Sequence, residues 1–404
     1  MSSTETFIEL ENRHYSGGTT RRPIVMVKGA GCRLWDSDGR EYLDFSSAQG
    51  WANIGHCHPA VTCALQEQAA CLVAQTESSY SNQRALWYAE LAAVLRDTLG
   101  ESEKGTLSRI HVCSSGAEAI EAAIKAARYF TKRTDIVAFK RAFHGRTMGA
   151  LSATWNPQYR SPFEPLVPGF RHITFNEISG MEDAITDQTA AVLVELVQGE
   201  GGVFPASAGF LLALQEACRR TGTLLIADEI QTGFGRTARW FAGCHFTESG
   251  FAPDMLAMGK SIGGGLPMGA LAWRSGLGTL EAGAHGSTFG GNPLTCAAGR
   301  AVLRVLQEEK LIDWAAHLGK ILLARLHSMK APIIREIRGL GLMAGIELRQ
   351  KVTPILKELM NRGLWALPAG PTVLRLLPPL ILSDQELELG LQIIEEVLGG
   401  AKGP

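Results

Sequence analysis

Ala190-Ala191-Val192-Leu193-Val194-Glu195-Leu196-Val197 opens the stretch that sets this chain's architecture, and Thr223-Leu224-Leu225-Ile226-Ala227-Asp228 closes it. Both runs are almost continuously apolar, the pattern of strands covered by helices on both faces of a parallel sheet. Between them, Ala208 to Thr221 repeats apolar residues at threes and fours, as a helix does. Strand, helix and strand in that order make a crossover unit. The same alternation precedes it, with Arg109 to Cys113 a strand, Ala117 to Phe130 a helix and Asp135 to Phe139 a strand. The expected fold is therefore α/β, a doubly wound and mostly parallel sheet, whose ligands sit beyond the carboxyl ends of its strands.

Toward the N-terminus, Pro23 to Phe45 reads as an extended arm with a hairpin around Ser37-Asp38-Gly39, followed by helical patterns from Pro59 to Val73 and Gln83 to Leu99. Toward the C-terminus come helices from Pro293 to Glu309 and Ile312 to Met329, a strand pair around Gly339-Leu340-Gly341, a helix from Pro354 to Arg362 and a strand from Val373 to Leu377. A last helix starts at Ser383, where Glu386 completes a capping box, and runs to Leu398. The expected division is an arm and hairpin over residues 1–52 packing with the small domain, a large domain over 53–305 and a smaller α/β domain over 306–404.

The 404 residues are 46% hydrophobic and carry a formal net charge of -1, which gives no electrostatic footprint for nucleic acid and points to small-molecule substrates. No apolar run approaches the roughly 20 residues of a membrane span, and the N-terminus lacks a targeting pattern. A cytoplasmic protein without membrane partners is expected. Eight cysteines at 32, 57, 63, 71, 113, 218, 244 and 296 show no CxxC pair and suggest neither a disulfide framework nor a zinc ribbon. His56-Cys57-His58 has a metal-like look but lacks further ligands nearby, so no metal is expected.

Chemistry is sought at the strand ends. Lys260 lies between the apolar run Met255 to Met258 and the turn Gly263-Gly264-Gly265. Partial desolvation there favours the neutral amine and a nucleophile toward a carbonyl, while a surface lysine beside a loop is the ordinary alternative. Ser115, Gly116 and Ala117 join a strand to an alanine-rich helix, with Glu118 at capping-box spacing; this suits a phosphate, although taken alone the pattern is better explained by a plain capped helix. Asp228 ends an apolar strand and could pair with a protonated ring nitrogen, or serve as a cap or loop ion pair. Phe143 offers a stacking face and Arg146 a guanidinium. The glycine-rich loop from His285 to Pro293 carries Ser287 and Thr288. Arg375 interrupts an apolar strand and needs an anion, for which Glu195 and Glu200 are both available.

Together these features describe a pyridoxal phosphate site. The segments SSGAEAIEAAIKAAR, FHGRTMGALSATW, ELVQGEGG, LLIADEIQTGFGRT, PDMLAMGKSIGGGLPMGA, HGSTFGGNP, IRGLGLMAGIEL and VLRLLPPLIL, in this order from about Pro23 to Leu398, resemble the class III, subgroup II aminotransferases. Within that fold-type I family the resemblance is to the branch acting on acetylornithine and on carrier-protein-bound aminoadipate semialdehyde. It implies pyridoxal 5'-phosphate joined to Lys260, with Asp228 on the ring nitrogen, Gln231 near the ring oxygen and Phe143 stacked on the ring. Ser115, Gly116 and Ala117 would hold the phosphate, and Thr288 would reach it from the neighbouring subunit of a homodimer with shared active sites. Arg146 and Arg375 would read substrate carboxylates, Glu200 would pair with Arg375 when no carboxylate occupies it, and Ser287 would lie near the substrate.

Two positions depart from many relatives. Thr19 stands where a tyrosine is common, and Gln49 where an apolar residue or tyrosine occurs. The implied reaction is transfer of an amino group between N-acetylornithine, or a similar N-blocked diamino acid, and 2-oxoglutarate, in arginine or lysine biosynthesis. Carrier-bound lysine, with an acidic amino-group carrier protein as partner, is the same-class alternative, as are ornithine and 4-aminobutyrate. A non-transaminating pyridoxal enzyme, an aminomutase or racemase, is the alternative of another class.

Overall fold

The computed structural model describes residues 3–401. At its centre is an eight-stranded sheet in the order Glu101–Ser102, Gly105–Cys113, Gly269–Arg274, Met255–Met258, Leu224–Asp228, Thr189–Glu195, Asp135–Phe139 and Phe170–Ile173. Only Gly269–Arg274 and the short edge strand Glu101–Ser102 run against the rest. The apolar runs divide by the two-residue period of a strand. Ala191, Leu193, Leu224, Ile226, Met255 and Ala257 pack with Ala119, Ala123 and Ala127 of the helix Gly116–Thr131. Their alternates Val192, Val194, Leu225, Ala227, Leu256 and Met258 join Phe210, Leu214 and Trp87 from the helices Ala208–Thr221 and Asn82–Leu99 on the other face. Every residue of Thr189–Glu195 and Leu224–Asp228 is buried, which is why neither run alternates with polar residues.

Three smaller sheets accompany it, one of them the antiparallel pair Val197–Gln198 and Phe204–Pro205. The hairpin strands Met26–Ala30, Arg33–Asp36 and Glu41–Asp44 are joined by Leu364–Trp365, which runs parallel to Glu41–Asp44. Ile334–Leu340, Met343–Leu348, Val373–Leu376 and Leu367–Ala369 form an antiparallel sheet in that order. Arg236, fully buried, ties the surroundings of the central sheet and these last two together: it donates to the carbonyls of Leu342 at 3.0 Å and Pro378 at 2.6 Å, and to Asn53 Oδ1 at 2.6 Å. A buried guanidinium keeps its charge and so needs acceptors, which these oxygens supply to its Nη atoms.

Most expected elements appear within a few residues of their predicted ends, and Asp135–Phe139 and Ala208–Thr221 match at both ends. The helix from Pro59 stops at Ala69, short of Val73. The capping box at Ser383 forms with Glu386. At Ser115 only half of one forms: Ser115 Oγ accepts from Glu118 N at 3.2 Å, but the Glu118 carboxylate accepts from Ser114 N at 2.9 Å, not from Ser115 N. The helix Ser3–His14, polar and largely exposed, has no counterpart in the sequence reading. All eight cysteines are free. His56 pairs with Asp44 at 2.7 Å and His58 with Glu309 at 3.2 Å, so the two histidines are engaged by different carboxylates. Among the described residues no three His, Cys, Asp or Glu side chains are grouped to hold a metal ion, and no helix is long and apolar enough to cross a membrane.

Candidate active site

Three adjacent parallel strands end level with one another. Glu195 and Asp228 are register partners, and Asp228 pairs with Ala257, three residues before Lys260. Beyond those ends lies a cavity of about 230 Å³ whose wall includes Lys260, Asp228, Glu195, Phe143, Gln231 and Glu200. Gly116 and Ala117, at the end of another strand of the same sheet, line it too.

Lys260 follows Gly259 into a single 3₁₀ turn and takes a left-handed φ of 49°. A non-glycine residue there is strained, and such strain is held in place by surrounding structure. The next residue contributes: Ser261 Oγ donates to the Gly50 carbonyl at 3.2 Å. Lys260 Nζ has no hydrogen bond or ion pair among the described residues. Burial pushes its amine below the ordinary lysine range, with Glu200 acting in the opposite direction. A lysine poised in this way is a competent nucleophile.

Asp228 is 5% exposed and fully engaged. Its Oδ1 accepts from Ile230 N at 3.0 Å, and its Oδ2 lies 2.7 Å from Nδ1 of the buried His144. Because a carboxylate only accepts, the ring presents Nδ1–H to it. His144 is in turn fixed by its backbone N–H, which donates to Thr154 Oγ1 at 2.9 Å. The sequence reading passed over His144; the only signal available was its place beside Phe143, after a strand. Glu195 also differs from expectation. It does not pair with Arg375 but accepts from the N–H groups of Phe143 at 2.8 Å and Gly199 at 3.2 Å, so it holds Phe143 and the loop of Glu200. Burial raises its carboxyl to about 7.

Glu200, also in the cavity wall, accepts at Oε1 from Arg375 Nη1 at 2.6 Å. Arg375 is 2% exposed and its Nε is buried without a partner, so the guanidinium keeps capacity for another acceptor. Burial works against ionisation of Glu200, but Arg375 and Lys260 outweigh it and hold the carboxyl below its usual range. Gln231 Oε1 is 3.5 Å from Arg375 Nη1, and a Cβ on Gly199 would stand 1.9 Å from that same oxygen. A side chain at 199 would therefore push the Gln231 amide from its place.

The residues fit pyridoxal phosphate. Gly116 and Gly259 let two backbones meet: a Cβ on Gly116 would lie 2.9 Å from Ile230 Cγ2, and one on Gly259 would lie 3.1 Å from Gly116 Cα. The first-turn N–H groups of Gly116 and Ala117 have no intrahelical acceptor and suit a phosphate. Ser115 caps that helix. Phe143 stands against Tyr159 edge to face at 5.9 Å.

Five expected residues are not in the cavity wall: Ser115, which caps the helix that begins there, Arg375, which meets the wall through Glu200, and Arg146, Ser287 and Thr288. Arg146 is exposed, with its guanidinium 4.5 Å over the Tyr159 ring. Ser287 Oγ accepts from Gly290 N at 3.1 Å, and Thr288 is exposed. Their loop rests on the strand end at Val112 and Cys113, outside this chain's own cavity; a Cβ on Gly290 would come within 2.4 Å of the Val112 carbonyl oxygen. Of the two departing positions, Thr19 is exposed, and Gln49 is exposed in a left-handed run with Ser47 and Ala48, at φ 66°, 43° and 48°.

The profile of the family "Aminotransferase class-III" matches residues 15–398. The chain belongs to the class-III aminotransferases. They are pyridoxal phosphate enzymes that act on an amino donor and an oxo acid. This aminotransferase is 42% identical to the acetylornithine aminotransferase of Methanopyrus kandleri over 96% of its own length and 98% of that protein's. It is also 42% identical to the [LysW]-aminoadipate semialdehyde transaminase of Deinococcus radiodurans, over 97% of its length and 90% of that protein's. Among solved structures, an ornithine aminotransferase from Toxoplasma gondii, described with partial occupancy of PLP at its active site, superposes with a TM-score of 0.91 at 33% identity, covering 98% of this chain and 94% of that one. The acetylornithine aminotransferase of Elizabethkingia anophelis gives a TM-score of 0.84 at 31% identity, covering 98% of this chain and 99% of that one.

Proposed function

We propose that this aminotransferase moves an amino group between the terminal amine of N-acetylornithine, or a similarly N-blocked diamino acid, and 2-oxoglutarate. The observation that carries this reading is the ion pair between Glu200, which lines the same cavity as Lys260, and the buried Arg375. One cavity has to accept an N-blocked substrate through its terminal amine and glutamate through its α-amine. Glutamate brings a second carboxylate that the first substrate lacks. With Glu200 in place, Arg375 is neutralised for the N-blocked substrate; with Glu200 displaced, Arg375 can take the extra carboxylate, and no charge is left buried alone.

Pyridoxal phosphate, when bound, supplies the aldehyde that accepts the amino group and the ring that draws electrons from the substrate carbon. The chain's residues do the rest. Lys260 Nζ would hold the cofactor through its carbonyl carbon, and as a free amine would carry a proton at the substrate carbon. Asp228, oriented by His144, would keep the ring nitrogen protonated. Phe143 would stack on the ring, Gln231 would meet the ring oxygen, and Ser115, Gly116 and Ala117 would hold the phosphate. Arg146 reads a substrate carboxylate, and Ser287, whose loop lies outside this chain's own cavity, is assigned to the substrate of a neighbouring copy.

Thr288 is assigned to a neighbouring copy's phosphate, in a homodimer with shared sites. Its exposure, beside Phe289 at 73% exposed, supports that assignment. A large domain over residues 53–305, flanked by the hairpin arm and the small domain, and a cytoplasmic location complete the proposal. The Deinococcus relative's name supports a second reading, in which the amine is borne by a carrier protein. An added methylene is worth only about 1 to 3 kcal/mol of discrimination, so one cavity can serve both chain lengths. Rates with N-acetylornithine, free ornithine and N-acetyl-lysine against 2-oxoglutarate test the choice. N-acetylornithine should be fastest; faster turnover of free ornithine would overturn it.

A further inference from the structure

The Glu200–Arg375 pair is held by a residue that touches neither substrate nor cofactor. Arg338, Gly345 and Arg375 are register partners on three neighbouring strands, so all three face the same side of the antiparallel sheet. Gly345 has no side chain, and the gap it leaves between the two arginines is filled by the loop that carries Glu200. A Cβ on Gly345 would lie 2.9 Å from Val203 Cβ and 3.3 Å from the Gly202 carbonyl oxygen.

The loop is short and tightly closed. Val203 N donates to the Gln198 carbonyl at 2.9 Å, and Val203, fully buried, takes a left-handed φ of 59°. Arg338 holds its base. Nε donates to the Gly202 carbonyl at 2.7 Å, and the guanidinium stacks 3.8 Å from the centroid of Phe204. Arg338 is itself fixed by Glu336 Oε2 at 2.8 Å and Glu347 Oε2 at 2.7 Å. One arginine thus grips the loop's backbone while the other grips the carboxylate at its tip.

We propose that Arg338 is a positioning residue for substrate choice: by seating Gly202 and Phe204 against the Gly345 gap, it holds Glu200 over Arg375 and biases the enzyme against dicarboxylates. The proposal rests on the switching role given to Glu200 above. Loosening the seat weakens the masking pair. Dicarboxylates then bind more easily, and the half-reaction with the N-blocked amine slows because Arg375 is left unpaired.

Glutarate, a dicarboxylate with no amine or oxo group to react, reads this without turnover. Calorimetric titration of holoenzyme should show Arg338→Met binding glutarate about tenfold tighter than the parent, a shift of about 1.4 kcal/mol. Glu347 keeps Arg335 at 3.2 Å in that variant, so no carboxylate is stranded. Gly345→Ala, which crowds the loop from the other side, should shift binding the same way and serves if Arg338→Met does not fold. In a Glu200→Gln background, already unmasked, neither change should add anything. Single-turnover rates should show the N-blocked amine half-reaction slowed and the glutamate half-reaction spared. Equal slowing of both with unchanged glutarate affinity, or the same shift in the Glu200→Gln background, would overturn the proposal. If Glu200→Gln itself fails to tighten glutarate, the switching role falls and the seat's function with it; if it does and Arg338→Met does not, the proposal on Arg338 falls alone.

Discussion

Two parts of the site are built differently. Around the lysine, Asp228 and Glu195 end adjacent strands in register, Lys260 follows the next strand, and Asp228 has partners in Ile230 and His144. Around the arginine, Arg375 stands on a separate sheet and meets Glu200 from a glycine-rich loop. The first part is held by sheet register; the second is the ion pair whose opening is proposed above. Chemistry common to both half-reactions needs the first kind of construction, and discrimination between two substrates in one cavity needs the second.

That contrast can be broken from either side. Asp228→Asn should slow both half-reactions by a similar factor, about a hundredfold to a thousandfold, as loss of one preorganised electrostatic partner does. A split between the halves in this variant would blur the distinction. Arg375→Ala should do the reverse. The KM for 2-oxoglutarate should rise about a hundredfold, the scale of losing one partner of a buried charge pair, while the step with the N-blocked amine changes far less. Steady-state and single-turnover rates with each substrate separate these outcomes, and equal losses in both halves would place Arg375 among the common machinery.

How much was readable in the sequence follows the same division. Apolar runs ending in a charged residue pointed to Lys260 and Asp228, because a strand buried on both faces leaves its chemistry nowhere but at its end. Arg375 stood out as a charge inside an apolar strand. The identity of its partner did not, since Glu195 and Glu200 were equally available until the register placed Glu195 under Phe143 and Gly199. His144 and Arg338 were missed for a related reason: their partners lie on strands far away in sequence, and one chain's pattern does not reveal which residues face each other across a sheet. The left-handed run from Ser47 to Gln49 was also invisible, being composed of residues that normally avoid that conformation and held by buried bonds such as that from Ser47 Oγ to the Leu377 carbonyl at 2.6 Å.

The attachment point of the cofactor tests the central claim most directly. Protein loaded with pyridoxal phosphate, reduced with borohydride and digested, should yield the pyridoxyl group on the peptide containing Lys260 when fragments are read by mass spectrometry. A label on any other lysine, or none at all, would contradict the account.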